Sequence, residues 1–451
     1  MRATTRAAAP ARAAPAPPRG LAPPRKAAGP PRRRGLTTTA AAAGGGAASV
    51  GPQPRPDWRA GLPLFVFSAK PYVEKYFISR LRAEGFGNAR LDPETARVAS
   101  GCEAVAIFVN DNANAEATAR AQAIKALADG GVRFIALRCA GYDRVDLEAA
   151  REAGIKVARV PTYSPTSVAE HAVALLFAIE RHVYSATSRV LAGNYALSGL
   201  VGRQLGGRTV GVLGTGAIGA EAARMFKGLG MTVLAYDLAP NPKASSTRPR
   251  VEAFASVKEA PIALVVAMGI PYLPLEQLLP ACDVVSLHVP LLPTTYHFMN
   301  ASRLAAMRKG ATLINVSRGG LIDSDALLEA LRSGHLGGVG LDVYEGEGSL
   351  FFEDWTSLQP GDRMKFWDRR FKELVSFPQV LVTPHTAFLT SEALDAIATT
   401  TISNLQEYAL GKPLTNEVKP LAPPAPPAPA AAAASAAPRP PAIGSDLPAG
   451  C

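Results

Sequence analysis

The chain has 451 residues, 48% of them hydrophobic, and a formal net charge of +11 at pH 7. Such a length accommodates two or more domains with sizeable cores. The charge points toward nucleic acid only until it is located: residues 1–56 hold ten Lys or Arg and no acid, and subtracting those ten leaves the remainder near +1. The folded part therefore carries no basic surface that asks for a nucleic-acid partner.

Residues 1–56 are rich in Ala, Pro and Arg and poor in large apolar residues, which predicts a disordered leader. No secretory h-region is present, and an acid-free, Arg-rich leader has the composition of an organelle transit peptide. A chloroplast is the favoured destination and a mitochondrion the alternative. Strands are expected at 64–67, 103–109, 133–137 and 155–160, with helices at 69–82, 110–128 and 145–153. Alternating strands and helices predict a parallel sheet, so 57–164 reads as one α/β layer. The Ser167-Val-Ala-Glu170 stretch has the form of a capping box and predicts a helix from there to about 192, linking this layer to the next.

The stretch 209–237 carries the most specific signal. A short apolar strand, 210–213, runs into Gly214, Gly216 and Gly219, which form G-x-G-x-x-G. A helical pattern with Ile218, Ala222, Met225 and Phe226 on one face follows, and a second apolar strand ends on Asp237. A dinucleotide needs this order. The first glycine permits the tight turn, the second lets backbone approach the pyrophosphate, the third lets helix and strand pack closely, and the helix N-terminus attracts the anion. Asp237 lies 18 residues beyond Gly219, where an acid meets a ribose 2′-hydroxyl. It would repel a 2′-phosphate, which favours NAD over NADP; Lys243, Arg248 and Arg250 in the following loop bear on that preference.

Further strands are expected at 284–289, 311–316, 337–343 and 380–383, and helices at 302–307, 323–332 and 391–410. Residues 346–370 read as irregular and contain Phe351, Phe352, Trp355, Phe366 and Trp367; 419–451 is a Pro/Ala-rich tail. The four cysteines, Cys102, Cys139, Cys282 and Cys451, include no C-x-x-C pair and predict no metal site. They read as thiols in a reducing compartment. No apolar run reaches membrane-spanning length, so no membrane partner is expected.

With these segments in order, the chain resembles the D-isomer-specific 2-hydroxyacid dehydrogenases over residues 62–418. The resemblance is carried by Ile135-Ala-Leu-Arg-Cys-Ala-Gly141, Val160-Pro-Thr-Tyr-Ser-Pro165, Ala169-Glu-His171, the glycine loop, Asn315-Val-Ser-Arg-Gly-Gly320 and Leu341-Asp-Val-Tyr-Glu-Gly-Glu347. Leu350-Phe-Phe-Glu-Asp354 and Thr383-Pro-His-Thr-Ala-Phe-Leu-Thr390 point to its lactate branch. The family implies two Rossmann-like domains with parallel sheets. A nucleotide domain (165–383) is inserted into a discontinuous substrate domain (57–164 and 384–418), and the chain pairs as a homodimer or a higher homo-oligomer. It also implies NADH-dependent reduction of pyruvate to D-lactate.

By that resemblance Arg318 grips the substrate carboxylate, His385 is the acid/base and Glu347 its carboxylate partner, with Glu345 the neighbouring competitor. A guanidinium suits a carboxylate through paired hydrogen bonds, and an imidazole gives and takes a proton near neutral pH. Ala140, Gly141, Tyr163 and Phe388 are expected at the substrate. Ala217, Ile218, Val289, Pro290, Thr295, Val316, Ser317 and Asp342 join the glycines and Asp237 at NAD. Thr295 stands where the family often has asparagine, and the stretch 243–266 has no counterpart in typical members. Two alternatives remain open from sequence: a dehydrogenase of another D-2-hydroxyacid, and a dinucleotide-sensing corepressor-like binding protein.

Overall fold

The computed structural model describes residues 62–81, 85–87, 90–109, 111, 117–142, 145–237, 265–364 and 367–420. The leader, the tail beyond 420, the inserted stretch up to 264 and Phe366 lie outside the described residues.

Two parallel sheets organise the chain. The first contains β1 (Leu64–Val66), β2 (Gly85–Phe86), β3 (Ala104–Ile107), β4 (Phe134–Leu137) and β5 (Lys156–Ala158) in the order β2-β1-β3-β4-β5. Every residue of β3 and β4 is buried, as continuous apolar runs covered on both faces must be. Helices α1 (Pro71–Tyr76), α2 (Ala117–Asp129) and α3 (Leu147–Glu152) make the crossovers. The helix expected from 69 is shorter than its pattern suggested. Pro71 sits in the first turn, where its missing N–H costs nothing, and after Tyr76 the chain tightens into a 3-10 turn, Ile78–Arg80. β2, only two residues long, was not anticipated.

The linking helix differs in two ways from its expected form. It starts earlier, as α4 (Pro165–Glu180), because Ser164 is the true cap: its hydroxyl accepts the Ser167 N–H at 3.2 Å. Ser167 is thus the third helical residue and not the cap. The helix also stops earlier. His182 takes φ 51, a left-handed turn that closes α4 with His182 N–H on Ile179 O, and α5 (Val183–Leu191) restarts in a new direction.

The second sheet contains β6 (Thr209–Leu213), β7 (Thr232–Tyr236), β8 (Val284–Leu287), β9 (Thr312–Asn315), β10 (Gly338–Leu341) and β11 (Val380–Val382), ordered β11-β10-β9-β8-β6-β7. Tyr272 adds one parallel bridge to Ala235 at the β7 edge. Helices α6 (Ala217–Gly228), α7 (Leu275–Ala281), α8 (Ala301–Ala306), α9 (Ser324–Arg332) and α10 (Arg369–Leu374) cover this sheet. α7 escapes a periodicity reading because it is short and contains Pro280, yet Leu275, Leu278 and Leu279 are buried under β6 and β7. The stretch read as irregular, 346–370, holds a short helical turn at Pro360–Arg363 and the first two residues of α10. Finally α11 (Ser391–Ala409) returns to the first sheet, with the Tyr408 ring stacked 4.5 Å from Phe134 and Val418 N–H donating to Val157 O. The first domain is therefore built from both ends of the described chain. Among the described residues no helix is long and apolar enough to cross a membrane.

Candidate active site

In open parallel sheets, ligands collect beyond the carboxyl ends of the strands, where the strand order reverses. Here both sheets turn those ends toward one cavity of about 470 Å³. The loops after β3 and β4 contribute Phe108, Val109 and the Arg138–Gly141 turn. Facing them are the loops after β8 (His288, Val289, Pro290), β9 (Val316, Ser317, Arg318) and β11 (His385, Ala387, Phe388). Tyr163 and Ile218 also line it.

Arg318 follows β9 in extended conformation, and its Nη1 donates to Ser317 O at 2.8 Å. Tyr163 lies close enough to feel that guanidinium. Burial pushes the Tyr163 hydroxyl up to about 12, with the Arg318 charge opposing, so the group stays a neutral donor. His385 presents its ring to the cavity, with Nδ1 3.1 Å from Glu347 Oε1. The other Glu347 oxygen accepts the Tyr344 N–H at 3.1 Å, and the side chain is buried behind the histidine. Glu345 is committed elsewhere, accepting from Tyr296, His297 and Ser324 at 2.8, 2.7 and 2.8 Å. Burial would raise its carboxyl, but the hydrogen bonds from His297, Ser324 and Tyr296 hold it low. Geometry thus separates the two glutamates that spacing left as competitors.

His385 sits at φ 56, a conformation that persists in a non-glycine residue only when its surroundings enforce it. Asp342 supplies that enforcement. Its carbonyl accepts the His385 N–H at 2.7 Å, and its carboxylate accepts Thr383 Oγ1, Thr386 N–H and Ala387 N–H at 2.6, 2.8 and 2.8 Å. Burial works against the Asp342 carboxylate. The hydrogen bonds from His171 and Thr383 and the nearby His385 outweigh it and keep its pKa below the usual value. The carboxylate is spent on the turn that carries His385.

At the glycine loop, Gly214 has φ +90, and a Cβ there would stand 2.7 Å from the His288 backbone; one on Gly219 would overlap the Gly214 carbonyl. Beside Gly216 a Cβ would meet nothing, and α6 begins there with no side-chain cap. Bare N–H groups facing open space at a helix start fit a diphosphate. Asp237 Oδ2 accepts Thr215 N–H and Oγ1 at 2.7 and 2.9 Å, and Tyr272 donates to that same Thr215 hydroxyl at 2.9 Å. A nicotinamide dinucleotide therefore fits these residues. The structure does not bring Thr295 to the cavity. Its fully buried hydroxyl donates to Pro290 O at 2.7 Å and accepts Leu292 N–H at 2.7 Å, shaping the Pro290 loop from beneath.

Three contributors went unassigned in the sequence. Arg138 is buried and donates to Phe67 O at 2.6 Å, fixing the turn that leads to Ala140 and Gly141. Asp111 balances it from a buried position, accepting from Ser68 Oγ and Leu91 N–H at 2.8 Å each. His288 packs on the glycine loop; burial lowers it to about 4, so the ring is neutral. A charged residue directly after the all-apolar strand β4 was the available signal for Arg138, and a histidine directly after the buried strand β8 was the signal for His288. Nothing local marks Asp111.

Residues 173–387 match the model of the D-isomer specific 2-hydroxyacid dehydrogenase NAD binding domain. The chain is 40% identical to the D-lactate dehydrogenase of Escherichia coli over 359 residues, covering 79% of this chain and 99% of that one. It is 41% identical to a D-lactate dehydrogenase of Curvularia clavata, covering 78% and 94%. Among solved structures, the pyruvate reductase of Chlamydomonas reinhardtii superposes with a TM-score of 0.69 at 50% identity, covering 80% of this chain and all of that one.

Proposed function

The chain belongs to the D-isomer-specific 2-hydroxyacid dehydrogenases, an enzyme family, and we propose that within it the protein reduces pyruvate to D-lactate with NADH. The observation that carries this reading is the convergence of Arg318, Tyr163 and the Glu347-backed His385 on one cavity beside the glycine loop.

The Gly214–Gly219 loop and Asp237 would hold the reduced dinucleotide, which would supply a hydride for the keto carbon. The protein supplies everything else. Arg318 binds the carboxylate through its guanidinium and polarises the carbonyl, aided by the backbone of Ala140 and Gly141. His385 donates a proton from Nε2 to the oxygen as negative charge develops there. Glu347 accepts Nδ1–H and so fixes the ring's orientation. Tyr163 and Phe388 bound the space beside the substrate methyl. Asp237, held by Thr215, favours NADH over NADPH because a 2′-phosphate would meet its carboxylate. The substrate-binding domain is taken as 57–164 with 384–418, and the nucleotide domain as 165–383.

A homodimer is also part of this reading. Leu191, Leu197 and Val201, on α5 and the loop beyond it, are each more than four-fifths exposed, next to exposed Tyr184 and Tyr195. An apolar patch of this kind on a folded chain marks an interaction surface, and a second copy is its assigned cover. The Ala/Pro/Arg leader is read as an organelle transit peptide, most simply to a chloroplast.

The test is turnover of pyruvate by the full chain with NADH, followed by the loss of the reduced nicotinamide's absorbance, with the stereochemistry of the product determined. D-lactate is expected. Tight NADH binding without turnover of any 2-keto acid would favour the sensing alternative and reject the enzymatic reading.

A further inference from the structure

A loop of the second sheet is fastened to the first domain at three points, and the loop carries the acid partner of His385. After β10 the chain forms a 3-10 turn, Glu347–Ser349, in which Leu350 and Phe351 N–H groups donate to Glu347 O at 3.0 and 2.8 Å. Arg90, in the loop after β2 of the first sheet, reaches this turn. Its Nη1 donates to Gly348 O at 2.6 Å and its Nη2 to Phe351 O at 2.8 Å. Its Nε lies 3.3 Å from Glu353 Oε1, and Lys70, just before α1, meets the same carboxylate at 3.2 Å. All three side chains are partly buried, where an ion pair is less screened than on the surface.

Between these anchors stands Phe352, at φ 70. A bulky residue in the left-handed region is held there by its surroundings, and here the Arg90 bond to Phe351 O and the ion pairs on Glu353 bracket it on both sides. The Phe352 ring lies 5.7 Å from the His385 ring and meets Phe108 of the first domain edge-on at 5.8 Å.

We propose that Arg90 is a positioning residue for the reduction: with Lys70 and Glu353 it latches the 347–353 turn onto the substrate domain, so Phe352 is set as the aromatic wall beside His385 only when the two halves are joined. This rests on His385 being the proton donor. A planar fork that donates to two carbonyls while its charge faces a carboxylate cannot be reproduced by an ammonium.

The experiment compares wild type, Arg90→Ala, Arg90→Lys and Glu353→Gln in the full chain. For Arg90→Ala, kcat on pyruvate per NADH-binding site should fall by about 10²-fold, the scale on which a misplacement of about 1 Å acts, while the Kd for NADH stays within about twofold. Arg90→Lys and Glu353→Gln should fall between. Hydrogen exchange at 347–353 should accelerate in Arg90→Ala whether or not turnover is seen. A residue that only adds stability would lower the active fraction and leave kcat per binding site unchanged. That outcome, or unchanged exchange at 347–353, overturns the latch. An inactive wild type would instead reject the functional reading, and the exchange measurement would still judge the latch.

Discussion

Nδ1 of His385 lies 3.1 Å from Oε1 of Glu347, although the two residues come from loops after different strands and are 38 residues apart in sequence. The pairing depends on two constraints that act on opposite sides of it. Asp342 holds the histidine's turn, and Tyr344 N–H holds the second glutamate oxygen. His385→Ala should lower kcat on pyruvate by about 10²–10⁴-fold, the usual contribution of a positioned acid. Glu347→Gln should lower it less, since an amide still accepts Nδ1–H but brings no charge. Steady-state rates with saturating NADH distinguish the two.

Arg318→Lys should affect pyruvate far more than NADH. The lysine keeps the charge but loses the paired geometry toward a carboxylate. A rise in KM and a fall in kcat for pyruvate are expected, with NADH affinity by fluorescence titration changed by less than about threefold, because a lost bidentate contact of about 1.5–3 kcal/mol falls on the substrate alone. Equal losses in both would place Arg318 outside the substrate site.

His288 links the cleft to acid stability. Its pKa is about 4 in the folded chain, below its ordinary value of 6.5, because burial disfavours the charged ring. The unfolded chain therefore binds the proton first as pH falls. Stability is complete above about pH 6.5 and declines as pH drops toward 4, by roughly 1–3 kcal/mol, with the lower part favoured because the ring keeps some contact with the open cleft. His288→Gln should flatten this segment of the curve. Urea midpoints at pH 7.5 and 4.5 for both proteins measure it; parallel slopes would remove His288 as the source.

Arg203 supports the fold away from the cleft. Glu180, at the end of α4, is buried, and Arg203 meets it with both Nε and Nη2 at 2.6 Å, while Thr312 Oγ1 donates to it from β9. Arg203→Ala leaves a buried carboxylate without its cation and should cost about 3–5 kcal/mol. The denaturation midpoint should fall with kcat per folded molecule unchanged.

Much of this was legible in the sequence because it is local. Buried parallel strands read as short apolar runs, and the Gly214–Gly219 spacing and Asp237 sit within one unit. Arg318, Glu347 and His385 were reached through segments that match a family in order, not through any spacing between them. What stayed hidden is backbone geometry that no residue pattern announces and pairing between distant positions. Ser164 outcompetes Ser167 as the α4 cap because Pro165 fits the first helical position, and His182 breaks the helix by adopting a left-handed turn no pattern announces. The buried Arg138 and Asp111 balance each other across 27 positions, which nothing in the composition of either loop reveals. Thr295 was placed at the cofactor by the family resemblance, whereas its hydroxyl is consumed by its own turn.

The central claim is a small-substrate reductase that uses NADH, and kcat/KM across a panel of 2-keto acids with NADH and NADPH tests it most directly. Pyruvate with NADH should give the highest value. Branched and aromatic 2-keto acids should fall below it as their side chains meet Tyr163 and Phe388, and NADPH should be at least about tenfold poorer, equivalent to about 1.4 kcal/mol of repulsion at Asp237. A bulky keto acid preferred over pyruvate, or NADPH used as well as NADH, would contradict it.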